Sequence, residues 1–123
     1  MAKNDMEVIT YKILSYLYEC MKNGATPEME DMCHSCKLFR IPRSYWLMIM
    51  KELIDSGYIT GFNVLQTKDG PYILMLDNVG ITLKGREYLC ENSRMKEAAE
   101  ICGTAFKIVL ESVIAALLES QTV

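Results

Sequence analysis

The sequence predicts a mostly α-helical domain with one small β-hairpin, in the order of a winged helix-turn-helix followed by a long C-terminal helix. Three observations lead there. Apolar residues recur at helical spacing in three stretches before Gly57. Two extended, β-prone runs then flank "KDG", a hairpin signal. From Ser93 onward the pattern is helical again.

The first helix runs from Asp5, a candidate N-cap, to a stop at Asn23-Gly24. Ile9, Ile13, Leu17 and Cys20 recur along it at helical spacing, joined by Tyr16 and Met21. "TPEMED" predicts a short second helix: Thr26 caps it, Pro27 takes the first helical position, and Glu28 and Glu30 suit its positive end. Met29, Met32, Cys33 and Cys36 then fall on one apolar stripe facing helix one, with His34 pointing to water. "LFRIP" breaks that pattern. A third helix follows from about Pro42 to Ser56, with Trp46, Ile49, Met50 and Leu53 inward and Gly57 as its stop. The runs "YITGFNVLQT" and "PYILMLDN" form the hairpin, Thr82 caps the short helix "LKGREYLCEN", and Ser93 opens a helix reaching roughly Glu119. Residues 1–92 thus read as the winged-helix part and 93–123 as a C-terminal helix, within one domain.

A chain of 123 residues builds one core. Half its residues are hydrophobic, a quarter are charged and the net charge is -3, an ordinary globular balance. Five cysteines, an odd number, and an N-terminus without an apolar signal core predict reduced thiols and a cytoplasmic setting. "AFKIVLESVIAALL" is interrupted by Lys107, Glu111 and Ser112 and falls short of the ~20 apolar residues a membrane span needs, so no membrane contact is expected.

Catalytic signatures are missing: the chain holds no GxSxG, no phosphate-cradling glycine loop and no HExxH. With a single histidine, the expectation is a protein without catalytic residues or cofactor. Cys33-His34-Ser35-Cys36 is the one motif of metal or redox type. Zinc takes four ligands, commonly from two paired clusters, and here Cys20, Cys90 and Cys102 stand alone. The two cysteines therefore read as small buried hydrophobes, not metal ligands.

Binding is the remaining class. Between Lys37 and Lys51 the charges are Lys37, Arg40, Arg43 and Lys51, with no acid among them. On a helix-turn-helix this polarity predicts contact with double-stranded DNA through Arg40, Arg43, Ser44 and Lys51, with Lys68 on the wing. The bland reading is a solvated surface. Leu47 and Met48 suit a protein surface better than a DNA groove, and the hairpin tip is nearly neutral, with Lys68 beside Asp69. A protein partner bound through Leu47, Met48 and the final helix is therefore the alternative. In that helix Phe106, Val109, Leu110, Val113, Ile114 and Leu117 lie on an apolar arc covering about half the circumference. Such width predicts a two-fold homodimer, against the alternative that the helix folds back across helix one in the same chain.

The segments "YKILSYLYECMKNGATPE", "YWLMIMKELIDSGYITG" and "ITLKGREYLCENSRMKEA" follow one another as in the YjcQ-like family of small bacterial and prophage proteins, which the chain resembles from about Met6 to Ala99. "ITLKGREYLCENS" is the most specific part of the likeness. The resemblance implies a winged-helix fold, a cytoplasmic setting and a phage or bacterial origin, with no established activity. Two departures, "MCHSCKLFR" in place of a polar segment and Pro42 in place of a helix-capping serine, bear on how helix three is presented. Fold and charge together lead to a small dimeric DNA-binding protein, and the resemblance makes it a candidate regulator of phage or prophage genes.

Overall fold

In the computed structural model residues 5–121 are described; residues 1–4 and 122–123, the outer ends of the two expected segments, lie outside the described residues. Helix α1 (Met6–Asn23) runs through the middle of the fold. Val8, Ile9, Ile13, Leu14, Tyr16, Leu17 and Cys20 are all buried, so α1 is covered nearly all round instead of along one stripe. Met21, expected on that stripe, is exposed. Gly24 closes the helix at φ 67, a left-handed conformation glycine adopts without penalty, and the Ala25 N–H donates 2.9 Å to the Cys20 carbonyl.

The expected second helix is absent. Only a single 3-10 turn, Met29–Asp31, forms there, followed by bends and an isolated bridge between Ser35 and Arg40. Side chains of the neighbouring helices satisfy the polar groups a helix would have paired internally. The Tyr16 hydroxyl accepts from the Glu28 N–H at 3.0 Å and donates to Asp31 Oδ2 at 2.8 Å. The Trp46 Nε1–H donates 2.8 Å to the Met32 carbonyl. In exchange the extended run buries Leu38, Phe39 and Ile41, whereas Cys33 and Cys36 are only half-buried. The Lys12 ammonium fixes the run's position by donating 3.1 Å to the Leu38 carbonyl.

Helix α2 (Arg43–Asp55) buries Trp46, Ile49, Met50 and Leu53, the face expected from spacing. Strands β1 (Ile59–Thr67) and β2 (Gly70–Ile81) pair antiparallel around a Lys68-Asp69 turn. Their register shifts once: Thr60 faces Gly80 but Phe62 faces Met75, so Leu76 to Val79 bulge out opposite Gly61. Gly61 has φ 88, and a Cβ there would press on the backbone of Val79 at 2.5 Å. Below the bulge Phe62 and Ile73 turn inward and close the core.

Helix α3 (Leu83–Glu91) is capped by Thr82, whose hydroxyl accepts from the Gly85 N–H at 3.0 Å. Helix α4 (Ser93–Gln121) is not one rod: Gly103, at φ 61 and ψ -160, breaks it into two arms. The chain runs alongside α1 in the same direction. Arg94 pairs with Glu7 at 2.9 Å at the start, Phe106 meets Tyr11 with ring centroids 5.7 Å apart, and the Gln121 amide closes on both backbone groups of Thr26 at 2.7 and 2.9 Å. The result is a mostly helical α+β domain with a two-stranded wing and a long C-terminal helix.

Candidate interaction surface

On α2 the residues facing away from the core are Ser44, Met48, Lys51 and Asp55, four positions that share one helical face. Met48, at its centre, is 62% exposed, and Leu47 beside it is half-buried. Lys51 pairs with Asp55 of its own helix at 3.2 Å, and both side chains are exposed. Such a pair adds a few tenths of a kcal/mol, roughly, and cancels the local charge. Arg43 donates 3.1 Å to the Pro71 carbonyl at the start of β2, so its guanidinium ties α2 to the wing.

The five residues expected on DNA fall on three parts of the fold. Ser44 and Lys51 share α2 with Arg43, and Lys68 occupies the wing turn. Arg40 borders a different cleft, beside Lys37, Glu28, Glu30 and Asp31, with Val113 and Leu117 of α4 as its other wall. Acids crowd there: hydrogen bonding with Glu30 pushes the Glu28 carboxyl above the usual carboxylate range. From Pro42 to Asp77, the α2 and wing region, three cations stand against four acids. Arg43 and Lys51 therefore do not head a continuous positive surface.

The wing carries the larger exposed apolar face. In register Leu65 lies opposite Tyr72 and Asn63 opposite Leu74, on the side away from Val64 and Ile73. Leu65, Tyr72, Leu74 and Leu76 are all exposed, Tyr72 by 51%. Antiparallel ribbons with one face on a core usually turn polar side chains outward. Here both faces are apolar. The signal stands in the sequence as "PYILMLD", where both alternating sets are apolar, whereas the wing's charges say nothing of it.

In the cysteine motif each thiol lies beside a backbone carbonyl. Cys33 Sγ lies 3.4 Å from the Ser35 carbonyl and Cys36 Sγ 3.4 Å from that of Phe39. Burial pushes the Cys36 thiol up, opposite to what a reactive thiolate needs. His34, expected toward water, is half-buried with its ring 6.2 Å from that of Trp46. Among the described residues no three His, Cys, Asp or Glu side chains converge as metal ligands.

The six residues nominated for a dimer face are mostly used inside the chain. Phe106, Leu110, Val113, Ile114 and Leu117 are buried, leaving only Val109 exposed. The break at Gly103 also opens a cleft of about 590 Å³ between α1 and the two arms, floored by Tyr11, Met95, Phe106 and Leu110. Its rim balances Lys96 and Lys107 against Glu19 and Glu111, and so selects no charge. By length and composition alone α4 could cross a membrane, and only 28% of its most apolar stretch is buried.

A family model described as YjcQ protein matches residues 11–109, most of the chain. No curated protein and no solved structure matches.

Proposed function

The chain belongs to the YjcQ protein family, and from that membership and the surface just described we propose that it is a small winged-helix protein-interaction module. The observation that carries this reading is the outer face of the wing, where Leu65, Tyr72 and Leu74, with Leu76 at the edge of the bulge, present apolar side chains to solvent. Exposed apolar strips of this kind on small domains mark sites where another protein docks. Tyrosine and leucine on a rigid ribbon supply large contact area at little entropic cost. Met48 on α2 adds an adaptable apolar contact, and the surrounding charge is sparse and mixed.

Binding to double-stranded DNA, as a phage or prophage regulator would require, is the second reading. What favours it is the Arg43–Pro71 contact, which holds the N-terminus of α2, with Ser44, against the strand that leaves the Lys68 turn. Charge weighs against it. DNA affinity comes largely from neutralised phosphates, and this region carries more acids than cations.

Two measurements on the same protein separate them. Fluorescence anisotropy with a labelled random duplex at low salt is expected to show no salt-sensitive binding. A pull-down from host lysate is expected to retain proteins that Leu74→Asp and Tyr72→Ser both lose. Duplex binding that weakens steeply with salt, and drops by about one unit of slope for Arg43→Ala, would reverse the order of the two readings.

A further inference from the structure

Beyond the face that α4 spends on α1, its second arm raises a crest of its own. Ile108 is 62% exposed, and Ala105, Ser112, Ala115 and Ala116 beside it are exposed too. At about 100° per residue these positions form one uncharged stripe with the isoleucine as its single large knob and small residues on either side. Val109 flanks the stripe on one side. Lys107 and Glu111, four residues apart, flank it on the other. Both are exposed, and among the described residues neither forms an ion pair, although their spacing permits one.

We infer that two copies of this chain pair antiparallel through the crest, about a two-fold axis at the level of Val109. In an antiparallel helix pair, flanks of the same kind face each other. With the axis at that level, residue 107 of one copy stands opposite residue 111 of the other. Each Lys107 then meets the second copy's Glu111, giving two symmetric ion pairs along one side. Knobs and holes match as well: the two Ile108 side chains straddle the axis, and Ala105 lies against the second copy's Ser112, with Ile108 and Ala105 both exposed in the single chain. A parallel pairing sets the charged flank against Val109 and Ala105 and leaves Lys107 and Glu111 without partners. A lipid surface is a poorer occupant, because it offers Lys107 and Glu111 no matched pair of opposite charges at their spacing.

The test is sedimentation equilibrium on the full chain over a concentration series. The wild type is expected to reach twice the chain mass of 14.0 kDa. Lys107→Glu and Glu111→Lys each set like charges opposite one another and are expected to weaken self-association on the order of tenfold or more. The double variant, with both changes, restores the pairs and should dimerise again. Mixing the two single variants should give a heterodimer, since one flank is then wholly acidic and the other wholly basic. Circular dichroism checks that each variant stays folded, which these exposed positions favour. Ile108→Glu should abolish the dimer. A wild-type mass that remains at the monomer value, a dimer unmoved by either single charge reversal, or a monomer that pellets with anionic vesicles would each overturn the proposal.

Discussion

Trp46 is buried, and its only polar atom is spent on a carbonyl that no secondary structure satisfies, that of Met32, 2.8 Å away. Phenylalanine would fill much of the same space but leave that carbonyl without its donor. Trp46→Phe is therefore expected to cost about 1–3 kcal/mol in unfolding free energy, the penalty for a buried group left unsatisfied, read from urea denaturation. Two further buried groups make the fold sensitive to alkali. Burial pushes the Cys20 thiol up to about 11 from 9.0, and it pushes the Tyr16 hydroxyl well above its usual range. Both groups stay protonated in the folded chain at a pH where the unfolded chain has begun to lose those protons. In that window the unfolded state binds fewer protons, so stability falls as pH rises. The unfolding midpoint is expected to hold up to about pH 8.5 and to drop from pH 9 to 11, with Cys20→Ala removing part of the slope. That Trp46 and Cys20 are buried was readable from helical spacing. That Tyr16 and Trp46 would anchor an irregular segment was not, because spacing says which face a side chain takes and nothing about the backbone group it meets there.

Thr82 and Gly85 make "ITLKG" a tight junction between two helices. The Thr82 hydroxyl caps α3 through the Gly85 N–H and also donates to the Gly57 carbonyl, so one side chain closes the end of α2 and opens α3. A Cβ on Gly85 would strike the Tyr58 carbonyl and crowd Ile81 at 2.8 Å. Thr82→Ala should cost ~1–2 kcal/mol, the usual loss for a cap. Gly85→Ala should cost about 1–3 kcal/mol, since the obstacle is backbone and cannot rotate away. Thermal melts of the two variants, with the exposed Lys84→Ala as control, would check the ranking. The stop at Gly24 and the cap at Thr82 were legible for the same reason, a local chemical event, whereas Asp5 makes no side-chain cap on α1 and Asn92, not Ser93, accepts from the first turn of α4. The second helix was misread because its local signals, Thr26, Pro27 and the following acids, were real but lost to tertiary demand. Four residues of one helical face would have buried two methionines and two cysteines. The extended course buries Met32, Leu38, Phe39 and Ile41 instead, a larger apolar load. Gly103 was the opposite case, a glycine inside an apolar helical pattern that marks a real break.

At the scale of the molecule, the division into a winged-helix part and a separable C-terminal helix turns on what covers α1. Spacing alone gave α1 one apolar stripe, enough for α2 and the wing. The structure buries it on nearly every side, and α4 brings Met95, Phe106, Leu110 and Ile114 up to its remaining side. Both ends of α4 are fastened as well, by Arg94 on Glu7 and by Gln121 on Thr26. Removing residues 93–123 would therefore strip α1 of a wall, not merely of an appendage. At about 25 cal/mol per Å² of apolar surface, re-exposing several large side chains costs an amount comparable to the roughly 5–15 kcal/mol that holds a typical domain together. The fragment 1–92 is accordingly expected to show helical far-ultraviolet dichroism without a cooperative urea transition, whereas the full chain unfolds in one step with coincident tryptophan and dichroism curves. A sharp transition in the fragment would mean that α1, α2 and the wing close a core by themselves, with α4 serving contacts between chains alone. The same experiment explains why the wide apolar arc of α4 could not be apportioned from sequence. One half of it packs inside the chain and the other, around Ile108, stays in solvent, and helical periodicity gives both halves the same signature.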